Sequence, residues 1–495
     1  MALYPDLQSM QEARDLAEAA YQAQLVWGRA TQEEVDRVCA AMAEAAFAAS
    51  AHLGQMAHDE TGYGIPAHKK LKNELASMGV WNSIKDVKTV GVIRRDEQRR
   101  IYEIAWPMGV VAALTPSTNP TSTAIYKSLS AVKARDAIII APHPSAAKCT
   151  YEACRILQEA AQKAGAPANL VNCMQNISLQ GTNELLKHKY VRVILATGGT
   201  PMVKAAHSVG KPAYGVGPGN VPVYVDRSAD LQKAARYIVA SKAFDYSTIC
   251  ASEQAVVADK PIARQLEQLM QAEGAYFVNE EQAGKLRKLL FQPDGSINAR
   301  TVGKSAQTLA GMAGFSVPAS ARVLVARLSV TGSSEPLSRE KLTTVLGWYE
   351  EDGWEAGCER SIELIMFGGR GHTQVIHAQD ERVIMAFGLE KPVFRILVNT
   401  MGTLGAVGLT TGLMPSLTLG SGGEGGAITG DNVTVHHLYN VKRLAYELTP
   451  PPEAALHASP LPAAAASNTA GAPAANVQDI EAMVRKVVQE IIQQK

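Results

Sequence analysis

Gly109-Val-Val-Ala-Ala-Leu-Thr-Pro-Ser-Thr-Asn119, followed further on by Ala137-Ile-Ile-Ile-Ala141-Pro-His-Pro144, decides the fold class. Both apolar runs are too short for a helix and lack the alternation of a half-exposed strand. The stretch between them, about Ser122 to Ala134, has helical composition. A second helix is expected from about Ala146 to Ala164. A third apolar run, Val191-Arg192-Val193-Ile194-Leu195-Ala196, closes in Thr197-Gly198-Gly199-Thr200. Short apolar strands alternating with helices predict an α/β fold with a parallel sheet covered on both faces. Ligands on such sheets gather at the carboxyl ends of strands. Thr115 to Asn119, His143 and Thr197 to Thr200 fall there. Thr197-Gly198-Gly199-Thr200 also opens a helix, where backbone N–H groups suit phosphates. The full G-x-G-x-x-G fingerprint is absent.

Working outward, residues 7 to about 60 read as helices, with apolar residues at three- and four-residue spacing. Glycines at 62 and 64 stop them. Thr89 to Trp106 is charged and β-branched and reads as an exposed ribbon. A second α/β segment is expected from about Asp226 to Leu419, then a glycine-rich loop from Gly420 to Gly426. Residues 430 to 447 read as a strand and short tail. Residues 449 to 476 are mostly Pro, Ala, Ser, Asn and Thr, a composition that buries no core and reads as a linker. Asn476 is an N-cap for a final helix over 477–495. There Val477, Ile480, Val484, Val487 and Ile491 share one apolar seam. A helix this short is marginal alone, so its stripe needs a partner.

The 495 residues are 46% hydrophobic, enough to bury sizeable cores. The charge is nearly balanced, 48 Lys and Arg against 47 Asp and Glu, so no global field argues for nucleic acid. No run of about 18 apolar residues is present, so no membrane span is expected. The first residues carry no secretory pattern. The six cysteines form no C-x-x-C pair, so neither a disulfide framework nor a metal site is expected. A reducing cytosolic compartment follows.

One cysteine stands apart. Phe244-Asp245-Tyr246-Ser247-Thr248-Ile249-Cys250-Ala251-Ser252-Glu253-Gln254 puts a thiol after small polar residues and before a strand-like run. Ile249 to Gln254 resembles the nucleophile motif of the coenzyme A-acylating aldehyde dehydrogenases. That family includes the aldehyde half of the bifunctional aldehyde–alcohol dehydrogenases and the propionaldehyde and acetaldehyde dehydrogenases of bacterial microcompartments. Other matches follow in order: Thr115 to Thr123, Pro142-His143-Pro144, Gly215-Val216-Gly217-Pro218-Gly219-Asn220, Gly371-His372-Thr373 and Pro415 to Gly420. Together they cover roughly residues 10 to 447.

The resemblance implies an aldehyde dehydrogenase fold. A Rossmann-like cofactor domain would span 1–225, with an arm ribbon near 86–105. A catalytic cysteine domain would span 226–415, and 416–448 would return to the cofactor domain and form a β oligomerisation arm. It also implies roles. Cys250 attacks the aldehyde, and the Asn119 side chain and Cys250 N–H hold the oxyanion; Asn119 read alone is equally a turn residue before Pro120. Hydride passes to NAD and leaves a thioester. Thr115, Pro116 and Ser117, His143, Thr197, Gly198 and Gly199, and Gly215, Val216 and Gly217 would bind the cofactor. Glu340 and Leu342 stand where the family has a Glu-x-Phe contacting the nicotinamide ribose. Hydrolytic relatives carry a water-activating Glu where Gly215 stands, so the thioester would pass to coenzyme A. His372 would deprotonate coenzyme A or simply pack. The expected substrate is propionaldehyde first and acetaldehyde second, and the expected assembly a homodimer or tetramer. The final helix resembles an encapsulation peptide for a microcompartment lumen, with a coiled-coil tail as the alternative. A hydrolytic aldehyde dehydrogenase, an acyl-phosphate reductase and a non-catalytic cargo or scaffold are the rival functions.

Overall fold

The computed structural model describes residues 4–456, so the helix expected at 477–495 lies outside the described residues, as does most of the linker. Three helices open the chain: Pro5–Trp27, Gln32–Ala48 and Ser50–Thr61. The second starts at a reciprocal capping box between Thr31 and Glu34. Gly62, left-handed at φ 68°, ends the third.

The ribbon forms as β1 (Val92–Asp96) and β2 (Ile101–Pro107). Five fully parallel strands follow: β3 (Val110–Leu114), β4 (Ala137–Ala141), β5 (Val171–Cys173), β6 (Val191–Thr197) and β7 (Ala213–Val216). Their order, β5-β4-β3-β6-β7, reverses direction between β3 and β6. That reversal opens a crevice at the carboxyl ends of these two strands. The loop 115–119 and the Thr197-Gly-Gly turn flank it. Every residue of β3 and β4 is buried, which is why their sequences show no alternation.

A second parallel sheet holds β8 (Val221–Val225), β9 (Glu253–Asp259), β10 (Ala275–Phe277), β11 (Val323–Arg327), β12 (Val345–Glu351), β13 (Gln374–His377) and β14 (Ile396–Val398). Its order is β10-β11-β12-β9-β8-β13-β14. Because β8 pairs with β9 and β13, the chain changes sheet between Val216 and Val221. The boundary expected at 225 therefore moves to the Gly217-Pro218-Gly219 turn. β15 (Tyr439–Ala445) joins the ribbon in the order β1-β2-β15. Leu417, Leu419, Val433 and Val435 are buried in the same apolar cluster as β3 and β4.

Residues 96–101 and 445–456 form a small separate unit. Within it, Arg100 donates to the Glu447 carbonyl at 3.0 Å and its guanidinium lies over the Tyr446 ring. Glu453–Leu456, in the segment expected to be linker, is a short helical turn.

Ile139 is fully buried at the centre of β4. Ile139→Ala should lower stability by about 2–5 kcal/mol, read as a drop in denaturant midpoint at constant slope.

Candidate active site

A cavity of about 370 Å³ lies where the two large sheets approach. One wall comes from the carboxyl ends of the five-stranded sheet. The other comes from segments just before the amino ends of β9 and β12, which carry Cys250 and Glu340 with Leu342. Of the residues expected from sequence, Pro116, Ser117, Asn119, His143, Thr197, Gly198, Gly199, Val216, Gly217, Cys250, Glu340 and Leu342 line it.

Three do not. Thr115 is fully buried behind the wall, its N–H bonded to the Ala141 carbonyl at 3.3 Å. Gly215 faces the helix Thr200–His207: a Cβ there would lie 2.5 Å from His207 Nε2 and 2.6 Å from Val203 Cγ1. Strand alternation in β7 turns Gly215 away from the cavity that its neighbour Val216 lines. His372 sits beneath the floor, 1% exposed, with Nε2 3.3 Å from Cys250 Sγ and Nδ1 2.9 Å from Thr373 Oγ1.

The loop carrying Cys250 has an unusual backbone. Asp245, Tyr246 and Ser247 are all left-handed, at φ 47°, 50° and 67°. Left-handed geometry costs a side-chain-bearing residue roughly 1–2 kcal/mol, so other contacts must hold the turn. Asp245 supplies them. Its carboxylate accepts from Ile65 N–H (2.6 Å), Lys72 Nζ (2.5 Å), Lys69 Nζ (3.1 Å) and Thr248 Oγ1 (2.7 Å). Its own N–H donates to His68 Nδ1 at 2.8 Å. The two lysines hold the carboxyl down to about 2 against its burial. Gly64 makes room: a Cβ there would stand 2.0 Å from Asp245 Oδ1, and its φ of +70° is left-handed. Gly219 does the same on the other side, where a Cβ would meet the Cys250 carbonyl at 2.3 Å.

Asn119 precedes the helix Pro120–Lys133 but makes no side-chain cap. Its Oδ1 accepts from Lys72 Nζ at 2.6 Å. Its Nδ2 donates to the Thr248 carbonyl at 3.0 Å and to Thr118 Oγ1 at 3.2 Å. The amide therefore ties the five-stranded sheet's loop to the nucleophile loop.

Burial pushes the Cys250 thiol up to about 12, with the Glu340 carboxylate adding to the rise; the cations Arg395 and Lys72 and the residue's own N–H oppose it. Burial and Arg395 push His372 down to about 3. The ligand-free pair is thus a neutral thiol beside a neutral imidazole at pH 7. In the tautomer that carries its proton on Nδ1 and donates to Thr373 Oγ1, Nε2 faces the thiol as the acceptor. Arg395 donates to the carbonyls of His372 (3.2 Å) and Gly420 (2.7 Å), locking both backbones. Among the described residues Glu340 is the one carboxylate lining the cavity. It accepts from Gly219 N–H at 3.0 Å, and burial raises it to about 7.

Sequence reading missed Lys69, Lys72, Asp245 and Arg395. The lysines share a face of the helix Pro66–Glu74 at i, i+3 spacing. A pair of lysines on a helix reads as solvated unless the tertiary structure buries it.

Fold and site together define an enzyme that sets a cysteine–histidine pair against a dinucleotide-type sheet. The chain belongs to the aldehyde dehydrogenase family, whose family model, described as "Aldehyde dehydrogenase family", matches residues 4–280. It is similar to aldehyde-alcohol dehydrogenase 2 of Entamoeba histolytica, 42% identical over 84% of this chain and 49% of the relative. The chain spans about half the length of this and other curated aldehyde–alcohol dehydrogenases. Among solved structures it is similar to an acetylating aldehyde dehydrogenase from Geobacillus thermoglucosidasius: TM-score 0.90, 51% identity, 91% of this chain and all of that one. Two propionaldehyde dehydrogenases are more distant. One belongs to the fucose utilisation bacterial microcompartment of Clostridium phytofermentans (TM-score 0.80, 28% identity, 88% and 97% covered). The other, from Rhodopseudomonas palustris, was solved with bound CoA and an acylated cysteine (TM-score 0.79, 26% identity, 88% and 97% covered).

Two outcomes are expected. Gly64→Ala should lose several kcal/mol of stability, about 1–2 from backbone strain and more from the displaced carboxylate, with a matching loss of Cys250 reactivity; an unchanged Tm would refute the packing argument. Since the folded Asp245 lies below its ordinary value, its contribution to stability is complete above about pH 4 and fades as pH falls toward 2. Asp245→Asn should flatten that part of the acid-unfolding curve.

Proposed function

We propose that this protein oxidises a short-chain aldehyde with NAD and transfers the acyl group to coenzyme A. The observation that carries the reading is the Cys250–His372 contact at 3.3 Å beside a cavity whose one carboxylate among the described residues, Glu340, is already engaged by the Gly219 N–H. His372 takes the thiol proton, and the thiolate attacks the carbonyl carbon. The oxyanion is held by Cys250 N–H and by an Asn119 Nδ2–H, which exchanges its long bond to Thr118 for the charged acceptor.

The residues present fit a dinucleotide. Gly199 caps the helix Thr200–His207 without a side-chain hydrogen bond, so backbone N–H groups are offered to phosphates. Thr197, Gly198 and Gly199 would hold the pyrophosphate side, and Glu340 with Leu342 the nicotinamide ribose. NAD, when bound, accepts the hydride that converts the thiohemiacetal to a thioester. His143, lowered by burial and accepting from Ser145 N–H, stays neutral and gives a 2′-phosphate no charge partner, which supports NAD over NADP.

The thioester then meets an acceptor. Coenzyme A needs only the loss of a thiol proton, which His372 can take once it has released the Cys250 proton to solvent; water needs a stronger base. The R. palustris enzyme's bound CoA and acylated cysteine support this order. Glu340, raised to about 7, is the group that would carry the hydrolytic reading instead. Propionaldehyde and acetaldehyde are the proposed substrates; the greater similarity to an acetylating enzyme adds weight to the two-carbon compound.

β15 ends its sheet with one free edge, which supports an arm that pairs subunits into a dimer or tetramer. Microcompartment targeting through 477–495 is supported by its apolar seam and by the C. phytofermentans relative. No described helix is long and apolar enough to cross a membrane.

NADH formation from either aldehyde should require coenzyme A beyond the first turnover and fall by about 10³-fold or more in Cys250→Ala. Steady turnover without coenzyme A, abolished in Glu340→Gln, would establish hydrolysis instead. His372→Ala should slow alkylation of Cys250 by iodoacetamide at pH 7.5 and lower kcat by about 10²-fold or more; unchanged alkylation would make His372 a packing residue.

A further inference from the structure

Lys69 and Lys72 are 3% and 4% exposed, and the carboxylate between them, Asp245, is fully buried. One buried lysine would suffice to neutralise one buried aspartate. The second leaves an uncompensated positive charge inside the protein, a costly arrangement unless something uses it. The hydrogen bonds show where it is directed. Lys69 goes to Asp245 and to the Thr118 carbonyl (3.2 Å), both backbone-holding contacts. Lys72 divides its donors among Asp245, Thr248 Oγ1 (3.0 Å) and Asn119 Oδ1, the last at 2.6 Å. It therefore touches the catalytic amide on the atom opposite its N–H groups. Its charge also acts on the Cys250 thiol, which it pulls toward the thiolate.

We propose that Lys72 is a positioning residue for the reaction: its ammonium fixes the Asn119 amide and draws electron density toward Oδ1, so that the Nδ2–H groups bind the oxyanion more strongly. The proposal rests on the roles given above to Cys250 and Asn119. An amide whose oxygen accepts a charged donor is a more acidic donor at nitrogen, since linked hydrogen bonds polarise one another in a low-dielectric site. The charge is fixed before the aldehyde arrives, so no reorganisation is needed when the oxyanion forms. The groups that face Lys72 or its partners are His68 and Lys69 on its own helix, Asp245 and Cys250 on the nucleophile loop, and Glu340 and Arg395, which act on Cys250 from the far side.

The test compares the full-length wild type with Lys72→Met and Lys72→Gln. The second keeps an N–H donor for Asn119 but carries no charge. Three quantities are read: single-turnover NADH formation, KM for NAD, and the pH dependence of Cys250 alkylation by iodoacetamide. Both variants should lose about ten- to a hundredfold in single-turnover rate, less than deletion of a whole oxyanion donor. KM for NAD should stay within about twofold, and the alkylation midpoint should move to higher pH because a nearby cation is gone. A Lys72→Gln enzyme with wild-type rate and midpoint would overturn the charge argument and leave a purely geometric tie. A Lys72→Met enzyme with unchanged rate would overturn the proposal altogether. If neither variant folds, the wild type still decides. Burial lowers Lys72 to about 8, so its charge, and with it the single-turnover rate, should decline above that pH. A rate rising steadily through the alkaline range would refute it. Failure of the underlying reading looks different: the wild type would give no NADH burst, or Cys250→Ala would retain it.

Discussion

The Asp245 carboxylate is the interaction on which the rest of the site depends. It accepts from a backbone N–H, a hydroxyl and two lysines contributed by the segment from Ile65 to Lys72 and by its own loop. Those bonds hold three consecutive left-handed residues just ahead of Cys250. Without them the turn would relax, and the thiol would leave its place above His372. A carboxylate is suited to this because it accepts in several directions at once, and charged donors make its bonds strong enough to offset both burial and backbone strain. Gly64 is the complement to that choice, since only the absence of a Cβ lets the carboxylate approach the backbone so closely.

The two large sheets contribute opposite ends. The five-stranded sheet offers its carboxyl ends, where helix N-termini and glycine turns favour phosphates. The seven-stranded sheet offers segments ahead of its amino ends, where Cys250, Glu340 and His372 precede strands β9, β12 and β13. The Gly217-Pro218-Gly219 turn joins the sheets beside the nucleophile. Its last glycine gives its N–H to Glu340 and leaves no room for a side chain against the Cys250 carbonyl. Cofactor wall and chemical wall are thereby set by one short connection.

The charges are arranged asymmetrically around the sulfur. Arg395 and Lys72 favour the thiolate, while burial and Glu340 oppose it. His372 is kept neutral by burial and by Arg395, so it rests unprotonated beside the thiol. Such a site keeps its thiol protonated until substrate and cofactor alter the balance, which limits side reactions of an open thiolate.

The parallel sheets were legible in the sequence because buried strands must be apolar on both faces, as in Val110 to Leu114 and Ala137 to Ala141. Cys250, Asn119 and the glycine turns could be singled out because the expected chemistry restricts residue type at fixed order along the chain, and the structure brings them to one cavity. Gly215 and Thr115 were placed in the site by order alone; strand alternation gives the cavity Val216 rather than Gly215, and Thr115 lies buried behind its wall. Lys69, Lys72, Asp245 and Arg395 left no recognisable trace. A charged residue looks the same in sequence whether it is hydrated or buried against a partner more than a hundred positions away. The sequence by itself determined which groups could do the chemistry; the tertiary structure alone decided their electrostatics, because the energy of a charge depends on the solvent it loses and the partners it gains on folding.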